Sequence, residues 1–164
     1  MKDPCAIAFK MHHPKAQPPI KSSELAAGWD LAVAEGGIVW PGRSRRFSTG
    51  LQFFLEPWQS LTMSNRSGVF VHGLIVNNSP CDPDYRWQKD SKTFEIVPSI
   101  WNVVVRNIGL LPYRVRVGDR LGQVLLPYGW YFIEAEAVLS EAEIYSRMEW
   151  FATLRSGGFG STGR

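Results

Sequence analysis

The chain has 164 residues, 45% of them hydrophobic and 20% charged, with a net charge of +3, which suits one domain with a real core and is short for two. That composition is globular, and so small a basic excess does not by itself imply a nucleic-acid partner. No apolar run approaches the ~20 residues that a membrane-spanning helix needs, and the N-terminus, with Asp3, Pro4 and His12-His13, does not read as a signal peptide, so a cytoplasmic protein with no membrane or nucleic-acid partner is expected.

From residue 28 to residue 127 the chain is cut by Gly and Pro into short segments rich in β-branched and aromatic residues, an all-β pattern. Candidate strands in chain order are Trp29 to Val33, Arg45 to Phe47, Leu51 to Leu55, Ser60 to Met63, Val69 to Val76, Thr93 to Val97, Trp101 to Arg106, Tyr113 to Val117 and Gly122 to Leu126. Turns are signalled by Trp40-Pro41-Gly42, Glu56-Pro57, Asn77-Asn78-Ser79-Pro80 and Val117-Gly118-Asp119. Strands this many and this short suggest a sandwich, jelly roll or small barrel. Residues 88–99 read as an inserted loop or hairpin. From Ser140 a capping box, Ser-Glu-Ala-Glu, starts a helix over about 141–154 with Ile144, Met148 and Phe151 on its apolar face.

Several short motifs have chemistry open to them. Gly28-Trp29-Asp30 is a glycine bend with an acid placed to accept hydrogen bonds. Arg66-Ser67-Gly68 combines a guanidinium, a hydroxyl and an accessible backbone N–H, a phosphate cradle or an ordinary surface turn. Asp82-Pro83-Asp84-Tyr85 is a turn in which a carboxylate could take a proton from water and an aromatic ring could lie against a sugar. Gln123 is a polar residue in an apolar strand after the Gly118-Asp119-Arg120 turn; its amide could bind a phosphate oxygen or close a backbone pair. The tail from Gly157 to Gly163 holds four glycines, Phe159, Ser161 and Thr162. It is either a flexible terminus or a clamp whose backbone N–H groups close on an anion while Phe159 stacks on a base. Cys5 and Cys81 lack metal-site spacing and are too few for a disulfide framework.

Taken in order, Ala27-Gly28-Trp29-Asp30-Leu31, Arg66-Ser67-Gly68, Asp82 to Arg86, Gly118 to Gln123, and Gly157 to Gly163 resemble the five motifs of the trimeric dUTPase family. The resemblance spans residues 20 to 163, and Trp40-Pro41-Gly42 and Ser48-Thr49-Gly50-Leu51 match the text that the family places between its first two motifs.

The resemblance implies a jelly-roll-like distorted β-barrel over residues 1–154 and a C-terminal arm over 155–164. It implies a homotrimer whose active sites lie at subunit junctions, and hydrolysis of dUTP to dUMP and pyrophosphate. Asp82 would orient and deprotonate the attacking water, and Tyr85 would pack under the deoxyribose. Arg66, Ser67, Gly68 and Gln123 would hold phosphate oxygens, with Asp30 supporting the site by pairing with arginine. Phe159 would stack on the base, and Gly160, Ser161 and Thr162 would fold the arm over the phosphates. Mg²⁺ is the implied cofactor, bound through the phosphates with no direct protein ligand.

The chain departs from the family pattern at four places. Trp29 replaces a tyrosine. The segment Asn78-Ser79-Pro80-Cys81 before Asp82 is shorter and lacks the usual glycine, which opens the reading to another or a modified pyrimidine. Trp87 and about twelve further residues follow Arg86 where glycine is usual. Leu154-Arg155 stands where Arg-Gly precedes the arm, so Arg155 supplies that cation if the backbone shifts by one residue. A dCTP deaminase, the enzymatic rival on the same fold, uses a glutamate after the third motif, and residues 96–118 contain neither Glu nor Asp. A non-catalytic trimer that binds nucleotide or, through 88–99, a protein is the remaining alternative.

Overall fold

The computed structural model describes residues 5–78 and 80–135. In chain order the strands are β1 (Ala6–Met11), β2 (Ile20–Lys21), β3 (Gly28–Ala32), β4 (Gly37–Val39), β5 (Ser44–Ser48), β6 (Leu51–Phe54) and β7 (Leu61–Asn65). After the short helix α1 (Ser67–Val71) come β8 (Leu74–Val76), β9 (Pro80–Cys81), β10 (Trp87–Lys89), β11 (Ile96–Pro98), β12 (Asn102–Asn107), β13 (Tyr113–Val115), β14 (Arg120–Leu125) and β15 (Tyr131–Glu134). They pair into short sheets ordered β2-β3-β14-β7-β9, β5-β12-β8, β15-β1-β6, β13-β4 and β10-β11. The result is an all-β, jelly-roll-like distorted barrel. The expected helix over 141–154 and the arm over 155–164 lie outside the described residues.

Alternation along the strands builds the interior. On β12, Val103 and Val105 are buried while Arg106 is exposed, and on β6 and β7 Leu51, Phe53, Leu61 and Met63 all point inward. Each such side chain contributes about 1.5–3 kcal/mol by leaving water. Phe53 meets Trp101 edge-on at 5.2 Å and Phe132 at 5.4 Å, and Phe132 in turn meets Trp29 edge-on at 5.3 Å. Through Phe132 the last described strand is seated on the same core that anchors β3.

Two expectations need correction. The run Val69 to Val76, read as one strand from its β-branched residues, is a helical turn followed by a strand. Arg66 is extended (φ −93°, ψ 142°), and its carbonyl accepts from the N–H groups of Val69 and Phe70, which winds α1. Gly73, at φ +73°, ends it, and its N–H bonds the Phe70 carbonyl. A side chain there would be strained in that left-handed conformation. The second correction concerns Thr93 to Val97: Thr93 and Phe94 belong to a turn, and the strand is Ile96–Pro98, paired with Trp87–Lys89. The insertion is therefore a hairpin. Asp90 organises its tip by accepting from the amides of Lys92 and Thr93, each at 2.8 Å, with Phe94 held at φ +60°.

Candidate functional site

The middle of the five-stranded sheet carries the candidate phosphate-binding residues. β14 pairs antiparallel with β3 on one side and β7 on the other, so that Gln123 opposes both Asp30 and Ser64. Residues three apart on a regular strand face opposite ways. Here a bulge between Arg120 and Gly122 inserts one extra residue, with Arg120 opposing Ala32 and Gln123 opposing Asp30. The bulge turns Arg120 and Gln123 to the same face, the face that bears Asp30.

Asp30 is 3% exposed and is held by two guanidiniums: Arg66 Nε stands 2.7 Å from Oδ1, and Arg120 Nη1 stands 3.3 Å from Oδ2. Arg66 Nη1 also donates to the Arg120 carbonyl at 2.8 Å. Burial of a carboxylate demands such partners. The Gln123 amide donates from Nε2 to the Asn65 carbonyl at 2.9 Å, and Asn65 Oδ1 accepts from the Val76 amide at 2.6 Å, which fixes the residue immediately before Arg66. Gly28 leaves room for this amide, since a Cβ at position 28 would lie 2.5 Å from Gln123 Oε1.

These side chains line a cavity of about 750 Å³. Asp30, Arg66, Ser67, Gly68 and Gln123, all singled out in the sequence, meet in its wall. Its lining also includes Asn65, Arg120, Asp119, His72 and Tyr113. Of these, Arg120 was the most legible, because a second cation next to a glycine turn is what a buried acid such as Asp30 requires; His72 and Tyr113, whose rings stand 5.7 Å apart, gave no sequence signal.

Asp82 and Tyr85 are not among the residues lining that cavity. They sit on a separate turn beyond β9, closed by a bond from the Tyr85 amide to the Asp82 carbonyl at 3.0 Å, with both side chains half-buried and Tyr85 packed against the core. Phe159, Gly160, Ser161, Thr162 and Arg155 lie outside the described residues. Among the described residues no group of three or more His, Cys, Asp or Glu could hold a metal ion, and no helix is long and apolar enough to cross a membrane.

No family model matches the chain. Its fold is that of the dUTPase-like distorted barrels: the dUTPase of Staphylococcus bacteriophage 80alpha superposes with a TM-score of 0.61 at 17% identity, covering 96% of this chain and 98% of that one. The dUTPase of the S. aureus phage phi11 superposes with a TM-score of 0.61 at 15% identity, covering 82% and 98%. The deoxyuridine 5'-triphosphate nucleotidohydrolase of Wolinella succinogenes is 33% identical over 156 residues, 93% of this chain and 90% of that one. The chain belongs to the deoxyuridine 5'-triphosphate nucleotidohydrolase (dUTPase) family.

Proposed function

We propose that the protein is a dUTP diphosphatase, hydrolysing dUTP to dUMP and pyrophosphate by attack of an Asp82-activated water on the α-phosphorus. The observation that carries this reading is the buried Asp30 pinned between Arg66 and Arg120 in the wall of a cavity that also presents Ser67, Gly68 and Gln123. In a chain of this family, guanidinium, hydroxyl and amide groups gathered on one face suit phosphate oxygens. Arg66, Ser67, Gly68 and Gln123 bind and orient the phosphates. Asp82 holds the water and takes its proton, Tyr85 packs under the deoxyribose, and Phe159 to Thr162 close over the base and phosphates with Arg155 as the arm's cation.

The donor set fits Mg²⁺ that arrives with the substrate. Both oxygens of Asp30 are engaged by arginine, and Asp119 Oδ2 accepts from the Arg116 amide, so the substrate's own phosphate oxygens and water would serve as the metal's ligands. When bound, Mg²⁺ neutralises the phosphates so that an anionic nucleophile can approach.

Separation of the Asp82 turn from the cavity within one chain supports a homotrimer in which one subunit's turn completes a neighbour's cavity. A cytoplasmic location agrees with nucleotide chemistry. Pyrophosphate release measured with dUTP, dCTP, dTTP and UTP in the presence of Mg²⁺ tests the reading: dUTP is turned over fastest and UTP is rejected. Preference for another deoxynucleotide would trace to the shortened Asn78 to Cys81 segment, and no release from any of the four would refute the activity.

A further inference from the structure

We propose that Gln52, with His12 behind it, is a positioning residue for the Asp82 to Arg86 turn; the inference rests on the roles given above to Asp82 and Tyr85. Gln52 lies on β6 and is 0% exposed. A primary amide in the core is costly unless its donors and acceptor are engaged. Gln52 Nε2 donates to the Arg86 carbonyl at 2.6 Å, and Oε1 accepts from His12 Nε2 at 2.7 Å. Since the amide nitrogen must serve the carbonyl, its oxygen faces the imidazole, and His12 carries its proton on Nε2. His12 is itself anchored, its backbone N–H bonding the Gly50 carbonyl at 2.8 Å.

The Arg86 carbonyl accepts a second bond, from the Ser99 amide at 3.0 Å, where the inserted hairpin returns to the barrel. The turn is thus fixed at both ends. Upstream, Cys81 pairs with Leu61 in the β7–β9 ladder. Downstream, Gln52 clamps the residue immediately after Tyr85. A hairpin that replaces the family's glycine would otherwise let that end of the turn drift, and a displacement of about 1 Å in a reacting group costs large factors in rate. Gln52 touches neither substrate nor reacting atoms; it acts by holding Arg86, and through it Tyr85 and Asp82.

Two readouts on Gln52→Met and His12→Ala test this. Gln52→Met keeps the side chain's length without its hydrogen bonds. His12→Ala sits at the surface and leaves the core intact. In the nucleotide-free protein, amide exchange at Tyr85 and Ser99 should quicken about 10-fold in Gln52→Met and about 3-fold in His12→Ala, with the amides of β3 and β14 unchanged. With dUTP, kcat should fall by about the same factors, by more than KM changes, and His12→Gln, which restores a donor, should recover most of the loss. Parental exchange at Tyr85 and Ser99 in both variants overturns the clamp whatever the substrate is, and so does a parental kcat in Gln52→Met. Faster exchange in protein whose parent does not hydrolyse dUTP leaves the clamp standing and overturns the proposed function instead.

Discussion

Arg66 meets Asp30 through Nε, at 2.7 Å, rather than through its terminal nitrogens. Nη1 is spent on the Arg120 carbonyl at 2.8 Å, and Nη2 has no hydrogen-bond partner among the described residues. Two nitrogens of the guanidinium thus hold the side chain in place, which is how a flexible residue becomes a preorganised one, and under the proposed function the third would meet a phosphate oxygen.

Removing the anchor should cost both stability and binding. Asp30→Ala leaves Arg66 and Arg120 facing each other without a counter-charge and should destabilise the fold by about 3 kcal/mol, the scale for losing one partner of a buried pair. Urea denaturation measures the loss, and KM for dUTP should rise in parallel. A variant with parental midpoint and KM would show that the pair organises nothing.

Asp82→Asn tests the assignment of the base. The amide is close in shape but cannot take a proton, so turnover should fall by at least ~10² while nucleotide affinity, read by calorimetry with a non-hydrolysable analogue, is kept. Equal kcat in parent and variant excludes Asp82 from the chemistry.

Gly28→Ala is a small change at a crowded point. The added methyl would stand 2.5 Å from Gln123 Oε1, so the amide must swing off the Asn65 carbonyl, and kcat/KM should drop by about 10-fold. Retained kcat/KM, together with an unmoved Gln123 amide resonance, would mean that its placement is irrelevant to phosphate binding.

The hairpin offers a pH observable away from the active site. Bonds from the Thr93 and Lys92 amides hold the Asp90 carboxyl below the usual carboxylate range. A pKa depressed on folding gives stability that is present above the unfolded value and is lost as the pH falls through the folded one. The Lys92 and Thr93 amide resonances should therefore titrate together, with a midpoint below that of an ordinary aspartate. A midpoint at or above the ordinary value contradicts the capped turn.

Much of the site was legible because its residues are chemically odd for where they stand. An acid beside a glycine bend and a glutamine in an apolar strand are costly unless used, and Asp30 and Gln123 prove to face each other across one ladder. Arg120 was seen in its motif, but its shared face with Gln123 depends on a bulge that alternation cannot reveal. Ile7 and Phe9 do alternate with alanines in β1. Their partners, β6 and β15, are remote in sequence, and alternation with alanines rather than polar residues is too weak a local mark to define the strand. The β-branched residues of α1 favoured the wrong state, since Gly73 and the Arg66 carbonyl decide it. Gln52 stands between apolar neighbours as Gln123 does, but only its complete burial shows that its amide is used inside the core.

The parallel pairing of β1 with β15, Ala6 beside Tyr131 and Phe9 beside Glu134, also bears on how the molecule is made. β1 can pair with β6 once residues 51–54 have emerged, but its other edge stays open until the last described strand follows about eighty residues later. During that interval the unpaired edge of β1 is open to chaperones or to other nascent copies.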